Sequence, residues 1–175
     1  MRLLACATAG MLVALAACSP SLDWRELLVD GTDLVAVFPC RPHRVTRTLA
    51  LAGRTVHMQM ASCTDDGVTY AVSWADLGDP AAVRPALEAL RRSAAANLGT
   101  SEGTFVPFAP RVATPSEAAA RIEIAGRLPD GRAVREGAAF FALGMRVYQA
   151  SLIGEAPSRA AIDGFLAGLA FRHRS

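Results

Sequence analysis

The alternation of apolar and polar positions divides residues 24–175 into strands, a helix, more strands and a last helix. Residues 24–29 fit a short strand or one turn of helix, and Asp30-Gly31 is a hairpin turn signal. Residues 34–38 form a compact β-prone run that Pro39 stops. Along residues 45–51, Val45, Arg47, Leu49 and Leu51 alternate with Thr46, Thr48 and Ala50. Along residues 55–63, Val56, Met58 and Met60 alternate with Thr55, His57 and Gln59. A period of two predicts strands in both, joined at Ala52-Gly53. Asp65-Asp66-Gly67 turns the chain into a strand over residues 68–74, with Tyr70, Val72 and Trp74 on one face.

The period then changes. Asp79-Pro80 pairs an N-cap carboxylate with a proline suited to the first helical position. Val83, Leu87, Leu90, Ala94 and Leu98 fall on one helical stripe, and Gly99 closes it. Pro85, near the start, is expected to kink the first turns. Residues 103–108 predict a strand, and Pro107, Pro110 and Pro115 then keep the chain in a loop. Residues 120–128, 132–142 and 145–153 read as an antiparallel meander, turned by Pro129-Asp130-Gly131 and by Gly144. A final helix starts at Pro157 or Ser158, with Ile162, Phe165, Leu166 and Leu169 on its apolar stripe. Arg172-His173-Arg174 forms a basic tail suited to the negative end of that helix. The expected class is α+β: an antiparallel sheet with one central and one C-terminal helix packed on it.

Composition narrows the function. The chain has 175 residues, 52% hydrophobic and 19% charged, which excludes intrinsic disorder and suits a single domain with its own core. A net charge of only +2 argues against a nucleic-acid partner. All of the basic charge beyond histidine is arginine, for the chain contains no lysine.

Residues 1–17 carry a single charge, at Arg2, and then an apolar run too short to cross a bilayer, which takes about 20 residues. A basic start, a brief apolar stretch and small residues before a cleavage point describe a secretory signal peptide. Leu15-Ala16-Ala17-Cys18 resembles a bacterial lipobox. The resemblance implies cleavage before Cys18, diacylation of its thiol and N-acylation, with palmitate-type chains as the anchor. More than one chain is needed for stable anchoring. Ser19, where an Asp would favour retention at the inner membrane of a Gram-negative cell, implies the outer membrane and its periplasmic face. Residues 18–23 are then the lipidated cysteine and a short tether, and residues 24–175 the domain.

Cys40 and Cys63 are the only thiols left after cleavage. In an oxidising periplasm such a pair is most simply a structural disulfide. A metal site would need two more soft or imidazole ligands, and a redox pair would usually show CxxC.

The run Phe38-Pro39-Cys40-Arg41-Pro42, the hairpin at Gly53, the helix, the meander and the last helix resemble small bacterial periplasmic lipoproteins with a PsbP-like fold. That resemblance implies a central antiparallel sheet between helix layers, and roles mostly in binding and assembly without catalysis. Cys40 departs from the small residue common after Phe-Pro in that family.

Candidate sites are few. Residues 34–64 contain no acid but hold Arg41, Arg44, Arg47 and Arg54, with His43 and His57. Guanidinium forks match phosphate and carboxylate, so this hairpin is a candidate surface for anionic headgroups or an acidic envelope partner. The bland alternative is a solvated face balanced by acids elsewhere. His57-Met58-Gln59-Met60 suggests copper by ligand type, but strand geometry sends the methionines to the face opposite His57, so no metal is expected. No serine sits in a GxSxG elbow, which weakens a triad built from Ser62, Ser73 or Ser93, Asp76 and a histidine. Glu123 and Glu136 form a conceivable carboxylate pair across the meander, with Arg121, Arg132 and Arg135 making an ion-pair lattice the better reading. No phosphate-binding loop occurs, and neither a cofactor nor a catalytic residue is expected. The sequence thus predicts a lipid-anchored, non-enzymatic binding or assembly module. A small-ligand carrier is the main alternative, which an apolar cavity near Trp74, Phe140 or Tyr148 would favour and a fully packed core there would count against; an envelope hydrolase is a lesser one.

Overall fold

The computed structural model describes residues 24–100 and 103–172. The lipobox-like segment, Cys18, the tether residues 19–23 and His173 lie outside the described residues. In chain order the elements are β1 (Arg25–Leu28), β2 (Leu34–Phe38), β3 (His43–Leu51), β4 (Arg54–Asp65), β5 (Val68–Asp76), α1 (Val83–Asn97), β6 (Val106–Pro107), β7 (Ala120–Arg127), β8 (Ala133–Leu143), β9 (Arg146–Gly154), α2 (Arg159–Ala167) and β10 (Ala170–Phe171). The fold is α+β with antiparallel sheets.

The strands divide into two sheets. Seven form a large sheet in the order β3-β4-β5-β9-β8-β7-β6, and β1, β2 and β10 form a small one with β2 in the middle. Residues 24–29, open between strand and helix in the sequence, therefore resolve as an edge strand, because β2 offers Val35–Phe38 as pairing partners. The strand expected over residues 103–108 contracts to Val106–Pro107 at the far edge of the large sheet. An edge tolerates Pro107 because the missing N–H owes nothing to an outer neighbour.

Alternation assigns each face of the large sheet a core. One face presents Val72, Trp74, Phe141, Tyr148, Ala150 and Leu152 to Leu34, Ala36 and Phe38 of β2 and to Ile162, Phe165 and Leu166 of α2. The other presents Val56, Met58, Ile122, Phe140 and Val147 to Leu87, Leu90, Ala94 and Leu98 of α1. The predicted stripe is thus the buried face of α1, except that Val83 is only half-buried. Asp79 caps a short 3-10 turn, Pro80–Ala82, by accepting from the Ala81 amide, and α1 begins directly after it. Pro85 lies in the first turn of α1, where an amide hydrogen has no intrahelical acceptor to lose. Gly99 takes φ +63 just beyond the helix, a left-handed turn that favours glycine.

Cys40 and Cys63 form a disulfide with 6.0 Å between their Cα atoms. Cys40 lies just after β2 of the small sheet and Cys63 on β4 of the large one, so the bond clamps the two sheets together.

Candidate functional site

The β3–β4 hairpin pairs in register from His43↔Ser62 to Leu51↔Arg54. That register places Val45, Arg47, Leu49 and Leu51 on the same face as Val56, Met58 and Met60, the face that carries α1. The helix lies along β8 and β9 and also reaches β3. The twisted sheet therefore curls β3 up beside the helix, leaving β4 and β5 as the floor of a cleft.

The cleft encloses ≈ 390 Å³. Val45, Arg47, Leu49, Ala50 and Leu51 form one wall, and Leu90, Ser93 and Asn97 of α1 form the other. Met58, Met60, Ser73 and Gln149 lie between them. Pairing of Met60 with Ser73, and of Ser73 with Gln149, puts the polar groups in one row across the floor. The opposite end, at Leu49, Leu51, Met58 and Leu90, is apolar. Among the described residues no His, Cys, Asp or Glu lines the cleft. The volume lies at the lower end of the small-ligand range.

The four candidate arginines do not share a face. Arg47 stands in the cleft wall, with no carboxylate partner among the described residues. Arg44 points to the opposite face and forms an ion pair with Asp30. Arg54, at the hairpin end, bonds Asp79 at 3.1 Å. Arg41 precedes β3 and borders a ≈ 200 Å³ depression with Arg44 and Asp30. Two of the four are thus balanced by acids that the sequence places far away along the chain.

The methionines follow the strand rule. Met58 is buried and Met60 half-buried on the α1 face, whereas His57 is exposed on the other and meets Thr48 Oγ1 through Nδ1 at 3.1 Å. His43 Nε2 is 3.4 Å from Ser62 Oγ across the hairpin, with no carboxylate bonded to that histidine among the described residues. Among them no three His, Cys, Asp or Glu side chains group as metal ligands.

The conceived Glu123–Glu136 pair does not form. Glu136 lies opposite Ile124, and Glu123 opposite Gly137, so the two carboxyls occupy opposite faces of the sheet. Glu123 joins a lattice in which Arg121 bridges Glu123 at 2.9 Å and Asp163 at 2.8 Å, and Arg159 adds a bond at 3.3 Å. The lattice expected around it is therefore present, but with Arg159 of α2 in place of Arg132 and Arg135. Arg132 instead bonds its turn neighbour Asp130 at 2.8 Å. Glu136 is buried among apolar side chains, and burial pushes its carboxyl up to about 7.

Trp74, Phe140 and Tyr148, the landmarks for a ligand cavity, are fully buried in packed core, which counts against a carrier cavity at that place. The cleft lies elsewhere, and sequence reasoning missed Ser73, Ser93, Asn97 and Gln149 as its lining. The available signal was the polar interruption of apolar faces: Ser73 and Gln149 occupy strand positions that point at a helix, and Ser93 and Asn97 sit one helical turn apart. Comparison with models of protein families, with curated proteins and with solved structures finds no match.

Proposed function

We propose that this chain is a lipid-anchored protein of the outer membrane, facing the periplasm, whose domain is a non-enzymatic binding module. Leu15-Ala16-Ala17-Cys18 and the following Ser19 support the anchor and its membrane. The order of elements supports a PsbP-like sandwich. Among the described residues no helix is long and apolar enough to cross a membrane.

The observation that carries the binding role is the cleft between α1 and β3. It leaves Met60, Ser73 and Gln149 half-buried beside Val45, Arg47 and Leu49, which are half-buried or exposed on the same face, where α1 does not cover β3. Folding alone gains nothing from leaving the apolar side chains of Leu49 and Met60 open, since each buried square ångström of apolar surface contributes roughly 25 cal/mol. A module that holds a small molecule there returns the surface to cover when loaded. This favours the carrier form of the binding module over the arginine-rich hairpin as a flat docking face, because Arg44 and Arg54 are already engaged.

Ser93→Trp, which fills the cleft from the half-exposed helix wall, tests the reading. The full chain and the variant are each purified from membranes and denatured in organic solvent, and the released small molecules are measured by mass spectrometry. The wild type should release a compound that the variant carries at several-fold lower yield. Identical extracts from two equally folded proteins would remove the cleft as the binding site.

A further inference from the structure

We propose that the cleft takes a single-chain amphiphile with an anionic head, its chain over the methionine floor and its carboxylate or phosphate held by Arg47. The inference rests on the binding-module reading above and names the ligand class. Three features define that class. Among the described residues the cleft is lined by one cation and no acid, so an anionic group is the complementary one. Its apolar end is built from Leu49, Leu51, Leu90 and Met58, and an unbranched thioether side chain adapts to a flexible alkyl chain. The hydroxyl and amide groups of Ser73, Ser93, Asn97 and Gln149 gather at the other end. There they can donate to the remaining head oxygens, while Arg47, opposite Met58, stands between that row and the apolar end, one pair along β3 from Val45, which opposes Met60.

Three other surface depressions lack this combination, each having an acid beside its arginines, and the one at Arg41 and Arg44 contains Asp30. The one beside β6 contains Arg121, Glu123 and Arg159, which satisfy one another and Asp163. The one between the β4–β5 turn and the β7–β8 turn contains Arg132, which Asp130 holds. The Arg47 guanidinium is exposed on the rim, so pairing with a ligand there costs little desolvation while adding charge-assisted hydrogen bonds. The placement of the cleft also favours a carried molecule over attachment to the bilayer surface. Trp24, where the described chain begins, packs edge-on against Tyr70 on the opposite face of the large sheet.

The test uses the full chain, purified from membranes and reconstituted in phosphatidylcholine vesicles. Three photoactivatable probes of equal chain length are added separately: a fatty acid, a lysophosphatidic acid and an uncharged fatty alcohol. After illumination, the labelled peptides are mapped. Both anionic probes are expected to label residues 45–60 and 90–97 about tenfold more than the alcohol does, the worth of one charge-assisted hydrogen bond. Preference between the two anionic probes identifies the head as carboxylate or phosphate. Arg47→Gln should remove the excess, and Arg44→Gln, on the opposite face of the same strand, should retain it. Equal cleft labelling by acid and alcohol would overturn the anionic head while leaving the binding module in place. Absence of cleft labelling by every probe, with Ser93→Trp still changing the extract, would overturn the amphiphile and leave the module. Absence of cleft labelling in a chain that elutes as a dimer would overturn it in favour of a second copy.

Discussion

Glu136 shows how one residue's surroundings set a property of the whole protein. The register that pairs it with Ile124 on one side and Ile153 on the other puts a carboxyl in an apolar layer. Burial alone raises its pKa from 4.5 to about 7. The native state therefore holds this proton more tightly than the unfolded chain does. The contribution of Glu136 to stability is fully present below pH 4.5, is lost as pH rises through the window from 4.5 to about 7, and is absent above it. The displacement corresponds to about 3 kcal/mol at full ionisation. Glu136→Gln keeps the shape and removes the charge. Its urea midpoint at pH 8 should exceed that of the wild type, and the two should converge at pH 4. A wild-type midpoint that does not fall between pH 5 and pH 8, relative to the variant, would contradict this account of Glu136.

At the scale of elements, close approach decides how α2 docks. Gly137 of β8 lies directly beneath Ile162, and a Cβ at that position would collide with the isoleucine's branch carbons. Ile162 is buried with Phe165 and Leu166 against the small sheet, so the helix has little room to retreat. Gly137→Val should cost about 2 kcal/mol or more, as an overpacked core does, seen as a lowered thermal midpoint. An unchanged midpoint would mean that α2 floats on the sheet. The elements themselves were mostly legible. The stripe from Leu87 to Leu98, the alternation in β3 and β4 and the turns at Gly53, Gly67 and Gly131 are local patterns set by chain geometry. The small sheet was not legible, because Ala170 and Phe171 are two residues whose strand character comes only from pairing with Val35 and Leu34. The cleft was not legible for a related reason: Arg47, Ser73, Ser93 and Gln149 come from four elements. They share a wall or a floor only after the sheet has curled. The alternation did assign Met58 and Met60 to one face, but it does not say that α1 leaves Met60 half open.

At the scale of the molecule, the Cys40–Cys63 disulfide joins the two sheets across 23 residues of sequence. Chain entropy assigns a closure of that length about 3 kcal/mol. The double variant Cys40→Ala, Cys63→Ala should lose stability of that order, and reductant should lower the wild-type midpoint but not the variant's. An intact thermal midpoint in the double variant would place the clamping role in the core between β2 and β5 instead. Two proposed features, an anchor at Cys18 and a cleft that carries a small molecule, join the disulfide-clamped domain. Native mass spectrometry of the full chain, purified from membranes, reads all three together. The predicted spectrum is a polypeptide starting at Cys18 with covalent acyl mass and two hydrogens fewer than the reduced chain. It also retains a small molecule that leaves on activation and is missing from Ser93→Trp. A bare polypeptide at the gentlest activation, indistinguishable from that variant, would contradict the carrier at the centre of the account.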